Sequence, residues 1–172
     1  MSIQWRDEMA IDQGVIDQDH RALISIINAF CEARVDRDEL PRLERIIAKL
    51  EHYAAAHFGR EEALQRIVQY AYLDAHHHEH ADLIRQLETV RRDLLRLHGG
   101  GALPQTSETP SSSDVEPTHE EIVRAHAEVA ELLHHWLVDH IIKSDLRMKP
   151  YTAKMATHAR ALSPLSASVA WV

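Results

Sequence analysis

Apolar residues recur every three or four positions in four separate stretches of this chain, the spacing of an amphipathic helix and not the alternation of a strand. The first stretch, from about Asp17 to Arg34, sets His20, Leu23, Ile24, Ile27 and Phe30 on one face. The second opens at Pro41, whose fixed φ and missing N–H suit a first helical turn, and carries Leu43, Ile46, Ile47, Leu50, Tyr53, His57 and Leu64. The third, about Asp74 to Leu97, repeats through His76, His80, Leu83, Ile84, Leu87, Val90 and Leu94 and stops at Gly99-Gly100-Gly101. The fourth, about Pro117 to Met148, runs through Ile122, His126, Val129, Leu133, Trp136, Leu137 and His140 and ends before Pro150. Residues 99–117, rich in Gly, Pro, Ser and Thr, read as a flexible connection. The pattern predicts an all-α fold, an antiparallel up-down-up-down four-helix bundle over residues 1–148 with loop 99–117 inserted, followed by a C-terminal extension, 149–172.

Composition narrows the function classes. A length of 172 residues suits one such domain, and a formal charge of −8 argues against nucleic acid as a partner. The longest apolar run, ALISIINAF, is too short to cross a bilayer, and MSIQWRDEMA lacks the features of a signal peptide. The single Cys31 allows no intrachain disulfide, so the expected setting is cytoplasmic, away from membranes. The outlier is histidine, of which there are fourteen.

Placed on an up-down bundle, the histidines of the apolar stripes gather at one end. His20 opens the first helix, His57 and Glu61 lie late in the second, His76 and His80 open the third, and His140 and Asp145 close the fourth. His57/Glu61 and His76/His80 are i,i+4 pairs that share a face one turn, about 5.4 Å, apart. Asp145 is five residues past His140, which swings it about 140° around an ideal helix; it therefore needs a loosened turn or a place at the helix end. A polar side chain on a buried stripe needs partners, and a metal ion supplies them. Imidazole and carboxylate suit iron, zinc or manganese, and five histidines with two carboxylates are more donors than one ion takes. Two ions bridged by both carboxylates and a hydroxide would use them all and leave one position open for a small ligand.

These residues resemble the hemerythrins, specifically the single-domain bacteriohemerythrins. The likeness rests on Trp5, the stretch Ile16-Asp17-Gln18-Asp19-His20, HFGREE from His57 to Glu62, His76-x-x-x-His80, and WLVDHIIKSD from Trp136 to Asp145. It covers roughly residues 3 to 147 without the long loop. The resemblance implies two non-haem Fe ions bridged by Glu61, Asp145 and an oxo or hydroxo group. His76, His80 and His140 would hold one iron, His20 and His57 the other, and the two-histidine iron would keep the open position. Phe58, Trp136, Leu137 and Ile141 resemble the apolar lining of such an O2 pocket.

The remaining histidines have plainer readings. His77 and His78 turn away from the His76/His80 stripe by about 100° per residue and are expected in solvent, as are His134 and His135. His126 lies on the stripe but about 21 Å along the helix from His140 and is expected to be a hydrogen-bonded bundle histidine. Glu62 is placed on the surface by the same rotation, and Cys31 in the core. The leading function is reversible binding of O2, for carriage, storage or sensing, by a protein that is not an enzyme. The alternatives are a di-iron redox enzyme acting on peroxide or nitric oxide, iron storage or detoxification, and a zinc-buffering module. The extension is expected to pack near the pocket or to mediate self-association or contact with a partner protein.

Overall fold

The computed structural model describes residues 2–98 and 116–154. Most of the inserted loop and residues 155–172 of the extension lie outside that range. Four helices form the bundle: α1 (Val15–Cys31), α2 (Leu40–Ile67), α3 (Leu73–Leu97) and α4 (His119–Lys143). Among the described residues there is no strand, and no helix is long and apolar enough to cross a membrane.

Side-chain caps set the helix starts. The Asp12 carboxylate accepts from the backbone N–H groups of Gly14, Ile16 and Asp17 at the head of α1, where the helical donors have no partner of their own. Asp17 in turn accepts from Ile11 and Gln13 N–H, folding the incoming chain onto that first turn. Pro41 occupies the first turn of α2. Thr118 and Glu121 cap α4 reciprocally, each side chain accepting from the other's backbone N–H.

Cross-links fix how the helices lie. Arg91 pairs with Glu44 and Glu51, and His76 meets Gln65, so the register falls along α3 as it rises along α2. His76 meets His140, and Leu83 accepts from Trp136 Nε1–H, the same relation between α3 and α4. His126 of α4 meets the carbonyl of Phe30 at 2.9 Å and stacks on its ring. The core between the helices includes Leu23, Ile27, Leu43, Ile47, Leu50, Leu87 and Leu133, all fully buried. Each such side chain contributes about 1.5–3 kcal/mol of burial free energy.

The fourth helix is shorter than its periodicity suggests. It ends at Lys143, and a 3-10 turn, Asp145–Met148, follows. Pro150 does not mark a stop; it lies in a new helical turn across residues 149–154, at a position where its missing N–H costs nothing. This segment folds back under the bundle. Met148 joins Ile11, Ile16 and Tyr70 in a second apolar cluster, Tyr151 packs edge-on to Tyr70, and Thr152 Oγ1–H donates to the Ile11 carbonyl.

Candidate metal centre

The four helices and the 3-10 turn after α4 bring His20, His57, Glu61, His76, His80, His140 and Asp145 together at the end of the bundle closed by that segment. The break after α4 is what admits Asp145: the tightened 3-10 turn aims its carboxylate back at the histidines, which a continuous helix would not do. His76 Nε2 and His140 Nε2 lie 3.0 and 3.1 Å from Asp145 Oδ1, and His20 Nε2 lies 3.2 Å from Oδ2. Glu61 Oε2 is 3.2 Å from His80 Nε2 and 3.7 Å from His57 Nε2. Glu61, His76, His80, His140 and Asp145 form one potential cation-binding group, and His20, His57 and Asp145 a second. Asp145 belongs to both.

The inward atoms are buried and unsatisfied. Both oxygens of Glu61 and of Asp145, and the Nε2 atoms of His20, His57 and His80, are sealed from solvent without a properly aimed hydrogen bond. His20 Nε2 and Asp145 Oδ2, and His80 Nε2 and Glu61 Oε2, are each 3.2 Å apart, but neither contact has hydrogen-bond geometry. Orphaned polar atoms at this depth cost about 1–3 kcal/mol each, and cations placed among them would satisfy them together. The donor chemistry, five imidazoles and two carboxylates, therefore fits divalent metal ions.

Three of the five rings, His57, His76 and His80, also meet partners on their outward side. Asp19 Oδ2 accepts from Arg60 Nε–H and lies 3.4 Å from His57 Nδ1, while its Oδ1 accepts from the Tyr53 hydroxyl. Glu62 Oε1 lies 3.0 Å from His80 Nδ1 and 2.9 Å from His77 Nδ1. Gln65 Nε2 lies 3.0 Å from His76 Nδ1 and equally close to Met148 Sδ. The His57, His76 and His80 rings are thus held from behind with Nε2 facing inward, an arrangement that fixes ligand histidines in other metal sites.

Burial and charge set the protonation of the group. Burial pushes His57 down to about 3 and His80 and His140 down to about 4, so these rings are neutral at neutral pH. Burial would also lower His20 and His76, but the Asp145 carboxylate beside both raises them above the ordinary histidine value. Burial raises Asp145 less than His140, His20 and His76 lower it, so it stays ionised; Glu61, buried beside it, is pushed well up.

Phe58 stacks on the His80 ring at 3.9 Å and meets His140 edge-on at 5.7 Å. Trp136, Leu137 and Ile141 are buried along α4 in the same core. His77 and His78 are exposed, the His78 ring donating from Nδ1 to the Asp74 carbonyl one turn back. Glu62 is not on the surface, contrary to expectation from helical rotation. It is buried in the α2–α3 seam, where the flank of α2 meets His77 and His80 of the next helix. Asp19 and Gln65 are likewise partners of His57 and His76 that helical periodicity does not reveal. The only sequence signal for Asp19 and Glu62 was a carboxylate directly beside His20 or Glu61.

A family model described as the hemerythrin HHE cation binding domain matches residues 13–152. A bacteriohemerythrin of Clostridium acetobutylicum is 32% identical over 88 residues, covering 49% of this chain and 68% of that protein. One of Pseudomonas paraeruginosa is 29% identical over 87 residues, 51% of this chain and 56% of that protein. One of Stenotrophomonas maltophilia is 29% identical over 96 residues, 56% of this chain and 60% of that protein. The similarity to these last two spans less than two thirds of their length.

Proposed function

The chain belongs to the hemerythrin HHE cation-binding family, and on that premise we propose that its buried cluster holds two non-haem iron ions and binds O2 reversibly. The observation that carries the proposal is the pair of donor groups sharing Asp145, with their inward atoms buried and unsatisfied. In this assignment His76, His80 and His140 would hold one iron and His20 and His57 the other. Asp145, which belongs to both donor groups, and Glu61 would be shared between the two ions. When bound, the iron pair supplies the electrons that O2 takes up and returns.

The chain's own residues define the setting. Asp19 and Glu62 accept the Nδ1 protons of His57 and His80, which keeps each Nε2 lone pair free for metal. For His76, a half-turn of the Gln65 amide would bring Oε1, an atom without a partner, to the place where Nε2 now lies and let it accept the Nδ1 proton. Phe58, Trp136, Leu137 and Ile141 line the O2 pocket and exclude water and anions. A ligand set richer in imidazole than in carboxylate is less electron-rich, which favours binding O2 over cleaving it.

Metal analysis of the purified protein is expected to give two irons per chain. The reduced protein is expected to gain an absorption band with O2 and lose it on deoxygenation. One ion per chain, or zinc alone, would overturn the assignment. Irreversible oxidation accompanied by many turnovers of peroxide would replace it with the redox-enzyme reading.

A further inference from the structure

The seven cluster residues are unequally buried. Six are 0–3% exposed, whereas His140 is 8% exposed and alone of the seven lines a surface groove of about 740 Å³ between α3 and α4. The groove wall holds Leu83 and Trp136, and five carboxylates stand around it: Glu79, Asp82, Glu128, Glu131 and Asp139. Asp82 is paired with Arg85, and Asp139 with Lys143 at 2.8 Å. Glu79, Glu128 and Glu131 have no Lys or Arg within ion-pair distance among the described residues.

At the inner end, Glu79 Oε2 lies 3.7 Å from His140 Nδ1, too far for a hydrogen bond. His140 Nδ1 has no hydrogen-bond partner among the described residues, unlike the outward nitrogens of His57, His76 and His80. A nearly buried imidazole with a free nitrogen therefore faces an acidic groove. Its Nε2 faces the cluster, 3.1 Å from Asp145.

We infer that divalent metal ions reach the buried cluster through the α3–α4 groove, with Glu79 the last carboxylate to hold the ion before His140. The inference rests on the cluster being a metal centre. The groove exceeds the volume of a hydrated divalent ion, about 180 Å³ for six waters at their liquid share. Carboxylates near low-dielectric walls concentrate cations and offset the cost of stripping water from them. The same field opposes anions and leaves neutral O2 unaffected.

The test is the rate of Co2+ uptake by metal-free protein, kept anaerobic and followed by the ion's absorption. A Glu79→Gln/Glu128→Gln/Glu131→Gln variant is expected to load about ten-fold more slowly at low salt and to reach wild-type stoichiometry. Glu79→Gln alone is expected to slow loading by a smaller factor, and wild-type loading to slow toward the variant's rate as salt is added. A Glu8→Gln/Glu32→Gln/Asp38→Asn variant removes equal charge from exposed sites outside the groove and is expected to load at the wild-type rate. Wild-type loading by the groove variants, or equal slowing of the control, would overturn the route while leaving the metal centre intact. A wild-type protein that takes up no Co2+ would overturn both.

Discussion

Glu62 Oε1 lies 3.0 Å from His80 Nδ1, joining a buried carboxylate of α2 to the back of a histidine whose other nitrogen faces Glu61. A carboxylate in this place sets which ring nitrogen carries the proton and which offers its lone pair. Glu62→Ala is expected to weaken metal binding by about 10–100-fold. Glu62→Gln, which keeps an acceptor oxygen, is expected to recover part of that loss. Competition against a chromophoric chelator measures both; equal affinities for Ala and wild type would remove Glu62 from this role.

His77 and His80 both contact Glu62, but only His80 also turns a nitrogen toward the cluster. His80→Ala is therefore expected to lose metal, while His77→Ala keeps wild-type stoichiometry with a small change in affinity. Elemental analysis of the two variants decides it. Comparable losses from both would contradict the assignment.

Loading should release protons. His57, His80 and His140 are already neutral at neutral pH, with values of about 3, 4 and 4. His20, His76 and Glu61 are each raised and so keep protons to higher pH in the metal-free protein. Metal must displace those protons, so apparent affinity rises with pH until these groups are deprotonated and then levels off. Calorimetry in buffers of different ionisation enthalpy, just below neutral pH, is expected to show net proton release. Release that is absent there would refute this account.

The segment after α4 closes the metal end through Met148, Tyr151 and Thr152. Deletion of residues 150–172 is expected to open that end and accelerate oxidation of the reduced protein in air, seen as faster decay of the O2-dependent band. If neither this rate nor the oligomeric state in solution changes, the extension has no such role.

At the other end of the energetic scale, Leu50 is fully buried on α2. Leu50→Ala is expected to cost about 2–5 kcal/mol in denaturant unfolding through the cavity it leaves. Metal stoichiometry should survive in whatever fraction stays folded.

Periodicity along the chain is enough to specify the helical class and the level of the cluster. Each apolar stripe has the helical period, and His20, His57, His76 and His140 fall near alternate ends of successive helices. Short chemistry and fixed rise per residue are enough for that. What flanks each helix depends on how the four pack. Periodicity reports the face turned to the bundle axis, whereas Glu62, Asp19 and Gln65 find their partners on neighbouring helices, across seams that no single helix's pattern encodes. The same holds for Asp145. Its spacing showed that the helix had to loosen, but the 3-10 turn that aims it is set by Met148, Tyr151 and Thr152 packing under the bundle. The α3–α4 groove is likewise a consequence of how two helices lie side by side, a distance set by the packing of many side chains at once.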